Sequence, residues 1–377
     1  MNTMTISRRR FAQLLGAGAA GAIVRPALSL AKPPAATPAA TRIVRLNSNE
    51  NPYGPSPKAW QAVNGALDFA CRYPDEHADL LVEALAKNDG VTSEQVLLGA
   101  GSGEILKMCA TAFTGPAGSG NPGSGPLVVA DPTFEAIIGH AKRNGAEIVK
   151  VPLTSTFAHD LPQMMAAAKG GLVYVCNPNN PTASLTPKVD IREFIAKTPP
   201  ETMILVDEAY HHYVESPDYE SVIPLIKDHP NLIVARTFSK IYGMAGMRCG
   251  YCIAQPATIE RLRPQQLSDS VSITALVAAT ASLADPEQVT NGRRRNDEAR
   301  SFVLRALDAM GYGQIPSHAN FIMIALKRPV VPVIQAMKER RVQVGRLFPA
   351  LPDHMRLTIG TKTEMERFLS AFREALV

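Results

Sequence analysis

GLVYVCNPNNPTAS, residues 171–184, joins a short apolar run to an irregular polar loop. Continuous runs of Val, Ile and Leu are typical of strands that are buried on both faces of a parallel sheet. Two further runs, MILVD at 203–207 and NLIVAR at 231–236, also lead into polar residues. The same pattern predicts additional strands over residues 95–99, 126–130, 147–151 and 248–254. We therefore expect an α/β fold with a mostly parallel central sheet.

Helical patterns lie between several of these strands, for example GEILKMCATAF at 103–113 and TFEAIIGHAKRNG at 133–145. Helices that alternate with parallel strands cover both faces of the sheet. After residue 264 the pattern changes to longer helices with short strands around NFIMIAL, RVQVG and MRLTIGT. We expect a smaller α+β domain there. The predicted segments are a signal at 1–31, a linker at 32–41, an N-terminal arm at 42–72, a large domain at 73–263 and a small C-terminal domain at 264–377.

The first 31 residues have the features of an export signal. Arg8 and Arg9 follow Ser7, a weakly apolar segment rich in Ala and Gly comes next, and the segment ends in small residues. This pattern is similar to twin-arginine signals and predicts a periplasmic protein. The alternative is a basic tail on a cytoplasmic protein.

The composition excludes some classes of partner. Four arginines lie in the first 31 residues, which contain no Asp or Glu, and without them the net charge of +5 falls to +1. The rest of the chain is near neutral, so nucleic acid is not an expected partner. No apolar run reaches the roughly 20 residues that cross a bilayer, so no membrane anchor is expected.

The five cysteines do not form a disulfide or metal pattern. Cys249 and Cys252 have CxxC spacing, but they lie in a predicted strand, where residues three apart point to opposite faces. There is no second Cys/His pair to complete a zinc site. We therefore expect buried core cysteines and no metal. Trp60 is also predicted to be a core residue.

Polar motifs follow the predicted strands, where ligands of open α/β sheets bind. The turn GAGSGEIL at 99–106 leads into a helix whose first amides can bind phosphate. The loop after residue 176 offers asparagine amides, and Asp207 ends a buried strand, where a carboxylate needs a cationic or donating partner. Lys240 lies between small hydroxyl residues and Arg248, a setting that favours carbonyl chemistry beside a phosphate.

Taken in order, these motifs resemble the class I/II pyridoxal-phosphate (PLP) aminotransferases, and in particular the histidinol-phosphate aminotransferase branch. The resemblance runs from about residue 42 to the C-terminus. Its most specific part is the S-K-x-x-x-x-x-G-x-R spacing from Ser239 to Arg248. It implies fold type I, PLP as the cofactor, an amino acid and a 2-oxo acid as substrates, and a homodimer with shared active sites. The motifs are LNSNENPYGPSP, RYPD, GAGSGEIL, DPTF, NPNNPT, VDEAY, TFSKIYGMAGMRCGY and MRLTIGT.

The resemblance also implies roles for single residues. Lys240 matches the Schiff-base lysine, and Asp207 matches the partner of the pyridine nitrogen. Tyr210 is the third catalytic residue and, with Asn180, matches the partners of the ring's phenolic oxygen. Phe134 matches the aromatic residue that stacks on the ring. The substrate-binding residues are Arg356, Asn51 and Asn320. The residues that match the phosphate cradle are Ser102, Gly103, Thr237, Ser239 and Arg248, with Tyr73 from the neighbouring subunit.

The sequence departs from the family pattern at three places. Ala183 stands where the N-P-T-G motif has glycine, Phe134 where tyrosine is frequent, and Gly345 where histidinol-phosphate enzymes more often have valine before Arg346. The amino donor therefore stays open between an aromatic amino acid, histidinol phosphate and similar compounds. A PLP-dependent decarboxylase, racemase or oxidase, or a non-catalytic periplasmic binding protein, is the alternative.

Overall fold

The computed structural model describes residues 42–116 and 124–376. The predicted signal at 1–31 and the linker at 32–41 lie outside these residues. No helix among the described residues is long and apolar enough to cross a membrane.

A seven-stranded sheet forms the centre of the fold, as predicted. Its order is β2-β8-β7-β6-β5-β3-β4, and only β8 runs antiparallel to its neighbours. The strands are β2 Val96–Gly99, β3 Leu127–Asp131, β4 Ile148–Pro152, β5 Leu172–Cys176, β6 Met203–Asp207, β7 Leu232–Thr237 and β8 Gly250–Ile253.

Eleven α-helices are found among the described residues. They are α1 Pro57–Ala66, α2 Asp75–Asp89, α3 Ser102–Phe113, α4 Ala136–Arg143, α5 Leu161–Ala167, α6 Lys188–Lys197, α7 Pro256–Leu262, α8 Ile273–Leu283, α9 Pro286–Ala309, α10 Val330–Glu339 and α11 Lys362–Ala375.

The sheet separates two hydrophobic cores, because successive side chains of a strand point to opposite faces. Val173 and Val175 of β5 belong to one core, whereas Leu172 and Tyr174 belong to the other. Burial on both faces explains why these strands are continuous apolar runs. The CxxC cysteines follow the same rule. Cys249 packs in the first core and Cys252 in the second, both fully buried, as predicted.

A third core lies in the C-terminal part of the chain. It is built around a three-stranded antiparallel sheet of order β12-β10-β9, with β9 Gln314–Ile315, β10 Phe321–Ala325 and β12 His354–Thr358. The predicted strand RVQVG forms β11 Val342–Gln343, which pairs in parallel with β1 Val44–Arg45. The N-terminal arm is thus attached to the C-terminal part. The proposed domain boundaries at 72/73 and 263/264 stay predictions.

The strand register brings the predicted motifs together. Cys176 pairs with Asp207 at the ends of β5 and β6. At the next strands, Thr237 pairs with Gly250, which also pairs with Gly99 before helix α3. The carboxyl ends of four parallel strands therefore meet at one edge of the sheet, next to the start of a helix.

Candidate active site

A cavity of about 680 Å³ opens at this edge of the sheet. All the predicted cofactor-binding residues except Tyr73 line it, together with Arg356 from β12. The lining residues from the prediction are Ser102, Gly103, Phe134, Asn180, Asp207, Tyr210, Thr237, Ser239, Lys240 and Arg248. The structure thus gathers residues that are separated by more than 130 positions in the sequence.

Lys240 extends its amine into the cavity from the loop after β7. Its Nζ donates to the carbonyl oxygen of Asn49 at 3.2 Å and lies 5.4 Å from the centre of the Tyr210 ring. Burial, assisted by the charge of Arg356, lowers the pKa of Lys240 to about 8. A larger fraction of the amine is therefore neutral at physiological pH, as a nucleophile or base requires.

Asp207 is a buried carboxylate at the end of β6, with 2% of its surface exposed. Its Oδ1 accepts the amide of Ala209 at 3.0 Å, and its Oδ2 accepts the hydroxyl of Tyr174 at 2.8 Å. Burial raises the pKa of Asp207, while these hydrogen bonds and the charge of Lys240 oppose the rise. Across residues 42–116 and 124–376, no Lys, Arg or His forms an ion pair with Asp207. A cationic ring nitrogen in the cavity would supply the missing partner.

The start of helix α3 forms an anion cradle. Its first amides belong to Ser102 and Gly103, and the first amides of a helix have no partner within the helix. Gly101, at φ +79°, lies against the Arg248 guanidinium so closely that a Cβ would overlap it. A Cβ on Gly250 would come within 2.5 Å of the Ser102 nitrogen. Only glycine lets the two backbones and the guanidinium approach in this way.

Arg248 itself has a left-handed backbone, at φ +62°. Its Nη1 donates to the Ala245 carbonyl at 3.0 Å and lies 3.4 Å from the Ser239 hydroxyl. The Thr237 hydroxyl accepts the amide of Ser239 at 3.1 Å. Hydroxyls, helix amides and a guanidinium therefore converge on one corner of the cavity, a combination suited to a phosphate group.

Asn180 and Arg356 orient each other on the opposite side of the cavity. Nη1 of Arg356 donates to Oδ1 of Asn180 at 2.7 Å, and Nη2 donates to the Asn47 carbonyl at 2.7 Å. The Asn180 amide nitrogen is then left to donate to a ligand oxygen. Nε of Arg356 is buried without a hydrogen-bond partner. Such an orphaned donor is costly and indicates a ligand with an acceptor group.

Asn49 was not singled out by sequence analysis, although its motif was. Its backbone is left-handed, at φ +54°, and its side chain donates to the Tyr210 hydroxyl at 3.0 Å. Its backbone amide donates to the Thr358 hydroxyl at 2.9 Å. Asparagine is one of the residues that adopt a left-handed conformation most readily, but the sequence alone does not show which asparagine of a loop does so. Tyr174 was missed as well, because it lies within an apolar strand.

Three predicted site residues lie elsewhere. Asn51 donates to the Ile241 carbonyl at 2.8 Å, and Asn320 donates to the carbonyls of Asn49 and Glu50 at 3.1 and 3.3 Å. Both side chains bind backbone carbonyls of the loops around Lys240, and neither lines the cavity. Tyr73 is 80% exposed and outside the cavity of its own chain.

The two histidines after Tyr210 have packing contacts. Their rings lie 3.7 Å apart, and the His212 ring contacts Tyr242 edge to face. Burial lowers the pKa of His212 to about 3, so it stays neutral. Neither histidine lines the cavity. In the described parts of the chain, no group of three or more His, Cys, Asp or Glu is placed to hold a metal ion.

These features define a site for a phosphorylated pyridine aldehyde. A phosphate cradle, a carboxylate that forms no ion pair within the described residues and a lysine with a lowered pKa surround one cavity, and an arginine with an unpartnered donor faces it. The residues present fit PLP, and the fold is that of the fold type I PLP-dependent transferases.

Comparison with known proteins gives the family. The model of the family described as "Aminotransferase class I and II" matches residues 41–372. The histidinol-phosphate aminotransferase of Symbiobacterium thermophilum is 38% identical over 337 residues, which are 89% of this chain and 91% of that protein. The histidinol-phosphate aminotransferase of Moorella thermoacetica is 39% identical over 339 residues, which are 89% of this chain and 86% of that protein. The structure of histidinol-phosphate aminotransferase from Sinorhizobium meliloti in complex with pyridoxal-5′-phosphate is 26% identical with a TM-score of 0.82, and covers 89% of this chain and 91% of that one. The chain belongs to the class I and II aminotransferases and is a PLP-dependent transaminase.

Gly345 lies so close to Arg356 that a side chain at this position would displace it. Its amide donates to the Arg356 carbonyl at 2.8 Å, and a Cβ would lie 2.8 Å from the Arg356 Cβ and 2.9 Å from that carbonyl oxygen. Valine, which is more frequent here in the histidinol-phosphate enzymes, would not fit without displacing Arg356.

We therefore expect Gly345→Ala to raise KM for the amino donor about tenfold or more, because overpacking costs about 1–3 kcal/mol and acts directly on Arg356. PLP affinity should stay within about twofold of wild type. Gly313→Ala is the matched control, since a Cβ there meets no atom within 4 Å. Unchanged steady-state kinetics for Gly345→Ala would show that the Arg356 contact does not matter.

Proposed function

We propose that Lys240, Asp207, Tyr210 and Arg356 carry the transamination. Their convergence on one cavity is the observation that supports this assignment. When bound, PLP supplies an electron sink for charge at the substrate Cα. Lys240 Nζ would take the proton from Cα, Asp207 would hold a proton on the ring nitrogen, and Tyr210 and Asn180 would bind the ring oxygen. Arg356 orients the substrate through an anionic group.

We propose further that the anionic group of the donor is a phosphate ester, with histidinol phosphate as the first candidate. Arg346 and Arg356 line the same cavity, and Arg346 stacks on Phe348 at 4.4 Å and pairs with Glu135. Two guanidiniums suit a phosphate ester on the donor and the carboxylates of a 2-oxo acid. The names of the related proteins point to the same donor.

The function is tested by a donor–acceptor screen, read by mass spectrometry, with histidinol phosphate, histidinol and aromatic amino acids as donors and 2-oxoglutarate as acceptor. Histidinol phosphate should be the preferred donor. Lys240→Ala should lose the visible absorbance of the bound cofactor and all activity.

Arg346→Ala should raise KM for histidinol phosphate about tenfold or more and leave KM for histidinol unchanged. Sustained turnover with CO₂ or peroxide release and no 2-oxo acid would instead identify a decarboxylase or oxidase.

We propose that the protein is a homodimer with shared active sites. Large apolar side chains that are 42–80% exposed cluster over residues 53–80, and the prediction that Trp60 is a core residue is wrong, since it is 48% exposed. Exposed apolar patches of this kind mark interfaces. The residues of this arm surface are Tyr53, Trp60, Leu67, Phe69, Tyr73 and Leu80.

Mixing inactive variants tests the shared site. If Tyr73 acts on the neighbouring subunit, Lys240→Ala and Tyr73→Ala subunits should form heterodimers in which one site is intact and the other carries both changes. Activity should then rise after subunit exchange, to about a quarter of wild type when the subunits mix statistically. No recovery, with dimers confirmed by sedimentation, would mean that Tyr73 acts within its own chain or not at all.

We propose that the protein is exported to the periplasm by the twin-arginine route. The support is the Arg8-Arg9 pattern with its weakly apolar segment. The full chain should be found in the periplasmic fraction, and replacing both arginines with lysine should retain it in the cytoplasm. Cytoplasmic location of the unchanged chain would support the basic-tail alternative.

A further inference from the structure

Tyr174 presents the only polar side-chain atom within β5 other than the Cys176 sulfur. The side chain is fully buried among the residues of the second core, and its hydroxyl donates to Asp207 Oδ2 at 2.8 Å. A buried tyrosine hydroxyl requires a partner, and here that partner is the carboxylate at the cofactor site. Packing alone would be served equally well by phenylalanine.

The hydrogen bonds of Asp207 leave part of its acceptor capacity unused. Oδ1 is bound by the Ala209 amide and Oδ2 by Tyr174, while an ionised carboxylate can accept about four hydrogen bonds. Asp207 also lines the cavity. Two donors on the protein side therefore fix the plane of the carboxylate, and its remaining acceptor capacity is available to a ligand.

We propose that Tyr174 is a positioning residue that orients the Asp207 carboxylate and keeps it ionised, so that Asp207 can hold a proton on the pyridine nitrogen of the cofactor. This inference rests on the proposed role of Asp207.

The electrostatics of the pair support this role. Burial raises the pKa of Asp207, and the Tyr174 hydrogen bond is the strongest effect opposing the rise. Burial and the Asp207 charge raise the pKa of Tyr174 well above its usual value, so the tyrosine stays protonated and remains a donor. Without this donor, Asp207 would bind a proton more tightly and would leave less positive charge on the ring nitrogen.

A second buried tyrosine–carboxylate pair shows what a structural role looks like. The Tyr251 hydroxyl donates to Asp89 Oδ2 at 3.0 Å, and Asp89 also pairs with Arg236 at 2.7 Å. The charge of Asp89 is thus held by a guanidinium, whereas no ion pair to Asp207 is present in the described parts of the chain. Loss of the Tyr251 hydroxyl should affect stability alone, which makes Tyr251→Phe the matched control.

The test compares Tyr174→Phe, Tyr251→Phe and wild type by PLP titration of the apoprotein and by pH titration of the visible absorbance of the bound cofactor. For Tyr174→Phe we expect PLP binding to weaken about tenfold or more, since a hydrogen bond to a charged group is lost. The midpoint of the absorbance titration should move to higher pH. The titrating atom is the Lys240 nitrogen bonded to the cofactor, and it holds its proton more tightly when the ring nitrogen carries less charge. Tyr251→Phe should leave both quantities as in wild type.

Combining the change with Asp207→Asn shows whether Tyr174 acts through Asp207. In the Asp207→Asn background, Tyr174→Phe should change PLP affinity by less than about threefold, because coupled residues are not additive. If Tyr174→Phe does not fold, 3-fluorotyrosine at position 174 replaces it. A more acidic hydroxyl donates a stronger hydrogen bond and should move the midpoint to lower pH.

An unchanged midpoint and affinity for Tyr174→Phe would overturn the inference, as would an equal effect of Tyr174→Phe in the Asp207→Asn background. Failure of the proposed function has a different signature. In that case wild-type protein would bind PLP without transamination, or would not bind it at all.

Discussion

Asp207 is a buried carboxylate that forms no ion pair with any of the residues that the structure describes. Removing a carboxylate from water costs several kcal/mol in a protein, even after the surroundings relax. The backbone amide of Ala209 and the hydroxyl of Tyr174 offset part of this cost. The remainder is available to a cofactor whose ring nitrogen is positive. Apoprotein stability and cofactor affinity are therefore linked at one carboxylate, since whatever stabilises its charge contributes to both.

Glu208, the residue after Asp207, is a buried charge with only structural contacts. Glu208 is as deeply buried as Asp207, but it accepts hydrogen bonds from Arg236, Ser221 and the Val222 amide. Arg236 extends the network to Asp89 at the end of helix α2. This fully paired cluster holds the ends of β6 and β7 in place. These contacts stabilise the backbone next to Asp207, whose carboxylate lines the cavity.

The sequence predicted the sheet and most of the cavity for one physical reason. Parallel strands that are buried on both faces are continuous apolar runs, and their polar ends must meet at one edge. The positions of Lys240, Asp207 and Arg248 follow from this rule together with the family resemblance. Their roles are proposals that the geometry supports.

Other features of the site depend on contacts between residues that are far apart in the sequence, and no local sequence pattern reveals such contacts. Asn49 acts through partners about 160 and 309 positions away. Gly345 is required because the Arg356 backbone approaches it closely. Trp60 was assigned to the core because an apolar side chain suits a core and an interface equally well. Tyr174 lies within a continuous apolar strand, and the strand pattern does not show which buried group its hydroxyl contacts.

Arg356 brings together contacts from several parts of the chain, and its proposed role in substrate binding depends on them. Its guanidinium is held by Asn180 from the loop after β5 and by the Asn47 carbonyl from the N-terminal arm, while its backbone receives the Gly345 amide. Three separate parts of the chain therefore fix one side chain before any substrate arrives. A guanidinium that is already oriented loses less conformational entropy when it binds an anion. If Arg356 binds the anionic group of the substrate, as proposed, this preorganisation contributes to the affinity, and the contact of Arg356 with the N-terminal arm contributes as directly as its contact with Asn180.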